Sequence, residues 1–200
     1  MLLVVAMRTL KRVTVYCGSS DDTPAIHREA AADFGRLLAR RGIDLVFGGG
    51  RVGLMGAMAT AALEAGGRVY GVIPELLRDL EVAHQGCTEL FVVSDMHTRK
   101  AMMASLGDAF VALPGGMGTF EELFEMMTWT QLGYQDKPVG LLNVDGYYDQ
   151  LLGFLDHSAN VGFVREQHRD LLKHSTDPAA LLDALANAPR GLYGAAAKLG

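Results

Sequence analysis

Six short apolar runs, each bounded by turn residues, punctuate the chain: Val13 to Tyr16, Leu45 to Phe47, Arg68 to Ile73, Leu90 to Val93, Ala109 to Leu113 and Val139 to Asn143. Longer segments of helical character separate them: Pro24 to Arg41, Gly53 to Ala65, His97 to Leu106, Thr119 to Leu132 and Tyr147 to His157. Strict strand–helix alternation predicts a parallel sheet covered on both faces. The expected fold class is therefore α/β, a single-domain, Rossmann-like, doubly wound parallel sheet with helices on both faces. Pro74 to Thr88 breaks the rhythm with charges, His84 and Gly86, and reads as a lid. After Phe163 come two short helical patterns and a small-residue tail, Gly191 to Gly200, expected to fray. The pattern divides the chain into an N-terminal extension over 1–10, one folded domain over 11–188 and a flexible tail over 189–200.

Composition narrows this picture. Two hundred residues, half of them hydrophobic, suit one compact domain that buries about 70% of its unfolded surface. The net charge of -5 comes from 18 basic and 23 acidic residues mixed along the chain, without the concentrated basic face that nucleic acid demands. Nucleic acid is not an expected partner. Cys17 and Cys87 stand far apart, and the six histidines lack metal-ligand spacing, so neither a disulfide framework nor a zinc site is expected. A cytoplasmic location fits. Met1 to Met7 is apolar but has no preceding basic region, no run approaches the roughly 20 apolar residues of a membrane span, and Met7 is a candidate alternative start.

The chemistry concentrates where strands end. Ala109 to Leu113 runs into Pro114-Gly115-Gly116-Met117-Gly118-Thr119-Phe120-Glu121-Glu122, a turn built largely of glycine that opens a helix. Such a turn brings backbone N–H groups against a ligand, and the helix start adds unpaired donors and roughly half a positive charge. A phosphate is the expected guest. Leu45 to Phe47 runs likewise into Gly48-Gly49-Gly50-Arg51-Val52-Gly53-Leu54-Met55-Gly56, and Val13 to Tyr16 into Cys17-Gly18-Ser19-Ser20. Open parallel sheets bind ligands outside the carboxyl ends of their strands, so the three loops are expected to share one crevice.

Each of these residues also has a plainer reading. Thr119 to Glu122 fits a capping box with Thr119 as N-cap. Ser19 and Ser20 suit either the cap of the next helix or a ligand oxygen. Glycines 48, 49, 50, 53 and 56 serve tight turns equally well, and an Arg99–Lys100 pair on a helix is usually solvated. His97 reads as a structural or capping histidine, and Met126, Met127, Trp129 and Leu132 as core or dimer contact. Glu121, Glu122 and Glu125 crowd one helix start, where they would repel a phosphate. That conflict resolves if the anion rests on Gly115, Gly116, Gly118 and Thr119 while Glu122 points further along the ligand, toward a ribose carbon.

Together these motifs resemble the Lonely Guy family, the cytokinin riboside 5'-monophosphate phosphoribohydrolases. Its P-G-G-x-G-T-x-x-E signature reads here as Pro114 to Glu122, and its Met-His-x-Arg-Lys as Met96 to Lys100. The resemblance runs from about Val13 to about Phe163 and takes in Lys137 to Tyr148. Ile26 and Met117 depart from aromatics common at those places, which puts the base preference in question. The resemblance implies a nucleotide-binding hydrolase domain that releases free cytokinin or adenine and ribose 5-phosphate from (N6-modified) adenosine 5'-monophosphates. It implies catalytic roles for Arg99 and Glu122, substrate contacts from Ser19, Gly49, Glu81, Lys100, Gly115, Gly116, Gly118 and Thr119, a homodimer, and no metal or organic cofactor. In such a reaction a carboxylate beside C1' stabilises an oxocarbenium-like transition state or orients water, and Arg99 either neutralises the departing base or holds the phosphate. Two rivals remain at this level. One is a non-catalytic nucleotide-binding sensor; the other is a lysine decarboxylase, which needs pyridoxal phosphate on a lysine, with Lys100 the candidate.

Overall fold

A computed structural model describes residues 8–78 and 83–189. Seven strands, β1 (Arg12–Tyr16), β2 (Asp44–Phe47), β3 (Val69–Pro74), β4 (Glu89–Val93), β5 (Ala109–Ala112), β6 (Val139–Leu142) and β7 (Leu172–Ser175), form one sheet in the order β4-β3-β2-β1-β5-β6-β7. Every neighbouring pair is parallel. The helices are α1 (Ala25–Arg40), α2 (Gly53–Glu64), α3 (Glu75–Arg78), α4 (Met96–Leu106), α5 (Met117–Leu132), α6 (Asp149–Asn160), α7 (Glu166–Arg169) and α8 (Pro178–Ala186). The α/β class and doubly wound sheet are as expected. Strand order reverses at β1, which lies between β2 and β5, and a doubly wound sheet opens its ligand crevice at that point.

Two cores clothe the sheet. On one face Phe34 and Leu38 of α1, Leu54 and Met58 of α2, and Leu181 and Leu185 of α8 pack on Val13, Val15 and Val111. On the other, Met103 of α4, Leu123 and Met126 of α5, and Leu152 and Leu155 of α6 cover Tyr16, Phe110 and Leu141. Met127 and Trp129 are half-buried against this second core, whereas Leu132 is 40% exposed. Helix α1 buries Ala31, Phe34, Gly35 and Leu38, the spacing of a single helical stripe. Among the described residues no helix is long and apolar enough to cross a membrane.

Strand β7 escaped the sequence reading. Leu-Lys-His-Ser offers no apolar run, because β7 is an edge strand and only Leu172 is fully buried. Two other boundaries moved. Helix α5 begins at Met117 rather than Thr119, and the predicted helix from Tyr147 is preceded by a 3-10 turn, Val144–Gly146, so that α6 starts at Asp149. The expected lid is tied at its described ends: Glu75–Arg78 is helical, Ala83 bridges to Gly50, and the His84 N–H donates to the Gly49 carbonyl at 2.9 Å. Its middle, 79–82, lies outside the described residues, as do the tail from 190 onward and residues 1–7 of the extension. Arg8 is buried, donating to the carbonyls of Ala186, the last residue of α8, and of Ala188 just past it.

Gly35 sets the spacing of α1 and α2. A Cβ there would lie 2.3 Å from the Met58 carbonyl oxygen, so the helices touch through backbone. Gly35→Ala must push them apart, and should destabilise the protein by about 1–3 kcal/mol in denaturant unfolding.

Candidate active site

The three small-residue loops are sewn together at the switch point. The Leu113 N–H donates to the Tyr16 carbonyl at 2.9 Å, and the Gly18 N–H to the Pro114 carbonyl at 3.0 Å. From the other side, the Leu54 N–H donates to the Gly18 carbonyl at 3.0 Å and the Gly53 N–H to Asp21 Oδ1 at 2.9 Å. A Cβ on Gly53 would fall 2.5 Å from the Ser19 carbonyl carbon, an approach that its positive φ of 60° also reserves for glycine. The shared crevice expected from sequence is present.

Helix α5 starts with Gly116 as N-cap, and no side chain caps it. The capping box is thereby corrected: Thr119 is already inside the helix and buried, with its hydroxyl against Gly115, where a Cβ would come within 2.1 Å of it. Added Cβ atoms on Gly116 and Gly118 would meet nothing within 4 Å. An uncapped helix start whose glycines border open space keeps its first N–H groups available to an anion.

A cavity of about 230 Å³ opens at this point, lined by Ser19, Gly116, Gly118 and Thr119 on the loop side, with Arg99, Glu122 and Tyr16 deeper in. Arg99 is 6% exposed and Glu122 9%. The Arg99 guanidinium donates through Nη2 to the Gly48 carbonyl at 2.9 Å and through Nε to the Val72 carbonyl at 3.2 Å, which anchors it over the ends of β2 and β3. Gly48 lets it lie this close, since a Cβ would come 2.1 Å from Nη2 and displace the guanidinium. Arg99 therefore approaches from the β2 side and Glu122 from the β5 side, with β1 as floor.

Lys100 faces elsewhere. Its Nζ donates to Glu121 and, at 3.1 Å, to Glu125, and it does not line the cavity. Burial disfavours its charge, but the hydrogen bonds to Glu121 and Glu125 outweigh that and raise its pKa. Two of the three crowded carboxylates are thus paired with the single charge of Lys100. Glu122 alone of the three carries its charge into the cavity.

The sequence reading missed several lining residues. Tyr16, the last residue of β1, is 2% exposed; burial first, then Glu122 and Glu125, raise its phenol well above the ordinary value and keep it protonated. Burial, with Glu122 nearby, likewise pushes the Cys17 thiol up, so it is no nucleophile. Met55, Met96, Met103 and Met117 supply apolar walls. A tyrosine and methionines at strand and helix ends look like core in a sequence, and only the strand order aims them at a cavity.

The remaining expectations divide. Gly115 lines a second cavity of about 480 Å³ behind the loop, which shares Gly18, Ser19 and Gly116 with the first. Gly49 lines neither; its φ of 82° and the 3.0 Å from a Cβ there to Ile73 Cβ make it a turn residue packed on β3. Gly48 stands in the site instead. Glu81 lies outside the described residues. Ser19 and Ser20 do not cap α1, whose N-cap is Pro24, and His97 is exposed rather than capping α4. That cap is Asp95, which accepts from the Thr98 N–H at 2.8 Å. Among the described residues no group of three or more His, Cys, Asp or Glu is placed to hold a metal ion.

A parallel sheet with its crevice at the strand reversal, and an uncapped glycine-rich helix start inside it, define a Rossmann-like protein with the geometry of an anion site. Solved structures share this fold. The molybdenum cofactor carrier protein of Chlamydomonas reinhardtii matches with a TM-score of 0.64 at 25% identity over 88% of this chain and 93% of its own. The molybdenum cofactor binding protein of Rippkaea orientalis matches at 0.66 and 22% identity, over 86% of this chain and 93% of its own. A family model described as "Possible lysine decarboxylase" covers residues 55–185. Three cytokinin riboside 5'-monophosphate phosphoribohydrolases are far more similar in sequence. The enzyme from Rhodococcoides fascians is 53% identical over 80% of this chain and 81% of its own length, and LOG of Oryza sativa subsp. japonica is 51% identical over 81% and 67%. LOG5 of Arabidopsis thaliana is 47% identical over 88% and 77%. The chain belongs to the cytokinin riboside 5'-monophosphate phosphoribohydrolase family.

The Asp95 cap holds the helix that carries Arg99, and its strength depends on pH. Bonds from the Ser94 hydroxyl, then from the Thr98 N–H and hydroxyl, lower the Asp95 carboxyl from an ordinary 3.8 to about 2. A depressed folded pKa stabilises above the unfolded value and is lost as pH falls through the folded one. Asp95→Ala should therefore lower the melting temperature at pH 7, and the gap to wild type should close between about pH 4 and pH 2.

Proposed function

We propose that this chain hydrolyses the N-glycosidic bond of (N6-modified) adenosine 5'-monophosphates, releasing free base and ribose 5-phosphate. One observation carries the reading: a buried carboxylate, Glu122, shares a cavity with an uncapped glycine helix start on its own helix. The 5'-phosphate rests on the N–H groups around Gly116, Gly118 and Thr119, beside Ser19. The ribose then lies along the first turn of α5 with C1' toward Glu122. As the bond to the base lengthens, positive charge grows on the sugar ring, and a carboxylate in a water-poor cavity stabilises it more strongly than it would in bulk water. The base departs toward Arg99, whose permanent charge neutralises the electrons it takes. Of the two roles open to Arg99 this one fits its anchorage on Gly48 and Val72, across the cavity from the glycine loop. The methionine walls suit an apolar N6 substituent, because thioethers adapt to irregular shapes.

In this reading Lys100 acts from behind, holding Glu121 and Glu125 away from the phosphate. The same geometry does not fit pyridoxal phosphate. A Schiff base needs a neutral amine, and Lys100 is held between two carboxylates with its pKa raised. We further propose a cytoplasmic homodimer, in keeping with the exposed apolar side chains Phe124, Leu132 and Phe154 on α5 and α6.

Release of adenine from AMP and of base from isopentenyladenosine monophosphate tests the assignment. Glu122→Gln and Arg99→Ala should each fold, and Glu122→Gln should lose about a hundredfold or more in kcat. Undiminished turnover in the folded Glu122 variant would falsify the acid's role, a loss confined to KM would demote Arg99, and intact AMP after prolonged incubation with wild type would favour a sensor. Gly118→Ala probes the cradle separately. Its methyl enters open space, so the melting temperature should hold while KM rises several-fold.

A further inference from the structure

Two consecutive tyrosines brace the glycine loop from behind. The Tyr148 hydroxyl donates to the Leu113 carbonyl at 2.7 Å, and the Tyr147 hydroxyl to the Gly115 carbonyl at 2.6 Å. Their backbone is fixed by the turn before them. Asp145 and Gly146 are both left-handed, with φ of 52° and 68°, and Asn143 Oδ1 accepts the Tyr148 N–H at 2.8 Å. The Tyr147 ring lies between His27 and Tyr148, with ring centroids 5.7 Å and 4.8 Å away and both contacts edge-on. Although 43% exposed, Tyr147 is therefore held on two sides.

The two bonds differ in consequence because of the residue that follows each carbonyl. Leu113 is followed by Pro114, which has no N–H, so Tyr148 can only anchor the strand end. Gly115 is followed by Gly116, whose N–H belongs to the same planar trans peptide as the carbonyl held by Tyr147. In a trans peptide the C=O and N–H point in opposite directions. Tyr147 and Gly115 line the second cavity, while Gly116 borders both cavities. Fixing the carbonyl toward Tyr147 turns the Gly116 N–H away from it, toward the cavity of Glu122.

We propose that Tyr147 is a positioning residue for the phosphate: its hydroxyl locks the Gly115–Gly116 peptide so that the Gly116 N–H meets the ligand's anion. The proposal rests on the functional reading above, since it presumes that the anion sits on this loop. Without the hydroxyl nothing else need change, because the peptide regains freedom to rotate between two glycines, the residues with the softest backbone. The loss falls on phosphate affinity and leaves the acid at the sugar in place.

Tyr147→Phe keeps the ring and removes the bond. Titration calorimetry with ribose 5-phosphate, steady-state hydrolysis of AMP, competitive inhibition by adenosine and thermal melting are compared for wild type and variant. The dissociation constant of ribose 5-phosphate and the KM for AMP should rise together by about three- to tenfold, the scale of one neutral hydrogen bond. The kcat should stay within about twofold and the adenosine inhibition constant should not move. Unchanged affinity for both phosphorylated ligands in a folded variant overturns the proposal, and so does an equal loss for adenosine. Should the variant melt early, Tyr147→Phe is measured below its melting temperature in stabilising sucrose beside wild type in the same buffer, with the same outcomes deciding it. A wild-type protein that binds neither ribose 5-phosphate nor AMP overturns the functional reading itself, which is a different result from a variant that loses nothing.

Discussion

The hydrogen bond from the Gly18 N–H to the Pro114 carbonyl closes the crevice floor, and the site depends on it. It continues the β1–β5 pairing two residues past the last ladder residues, Tyr16 and Ala112, at the place where strand order reverses. Loops at such a point ordinarily diverge, since the chain leaves in opposite directions on the two sides. Here they are held at backbone distance, and side chains must be absent for that to happen. A Cβ on Gly115 would come within 2.8 Å of the Gly18 nitrogen, which would push the seam open. The glycine of the motif thus has two separate duties. Gly115 permits the closure, while Gly116 and Gly118 leave room above it.

Once the floor is closed, charge placement follows from helix register. Helix α5 carries Glu121, Glu122 and Glu125 within little more than one turn, and only one of them is needed beside a ligand. Consecutive helix residues point about 100° apart, so Glu121 and Glu125, four residues apart, share a face that Glu122 leaves. Lys100 of α4 takes that face. Its neighbour in sequence, Arg99, by the same geometry points the other way, into the cavity. One Arg–Lys step on α4 and one Glu–Glu step on α5 therefore sort four charges into a structural pair of contacts and a pair available for chemistry. A partly buried ion cluster of this kind adds little net stability, because desolvation offsets most of its attraction. Its effect lies in orientation.

Much of this was legible in the sequence, and the physical reason is that backbone requirements leave marks on residue type. Five of the seven strands announce themselves because they are buried on both faces and must be apolar. Of the two edge strands, β4 is read from its apolar run Leu90 to Val93 although Glu89 and Val92 are exposed, whereas β7 offers no such run, since Lys173 and His174 lie at the other edge. The glycine loop was readable as a tight strand-to-helix turn, and Gly115 shows why: a Cβ there would come within 2.8 Å of the Gly18 nitrogen. Which glycine of the run 48–50 enters the cavity was not readable, because that depends on where the Arg99 side chain comes to rest. The Lys100 contact with two carboxylates required knowing that α4 and α5 lie side by side. Thr119 to Glu122 satisfied a capping pattern by composition alone, yet the helix began two residues earlier, at Met117, because the loop glycines could adopt the turn without a cap.

The fold leaves the chemistry open, and the comparison with molybdenum cofactor carrier and binding proteins makes that concrete. A TM-score near 0.65 over most of both chains records the same fold. The sheet supplies a closed floor and a helix start that attracts an anion, and any phosphorylated ligand can use both. A bond-breaking site needs something further: a charge held where the transition state, and not the bound ligand, carries its opposite. A carboxylate close to an anion site weakens ligand binding, so a pure carrier gains nothing from one. Glu122, nine-tenths buried on the very helix whose uncapped first turn would attract an anion, is a feature that binding alone opposes. Positive charge developing beside it would be stabilised by that carboxylate, and sugar–base cleavage is a reaction that creates such charge.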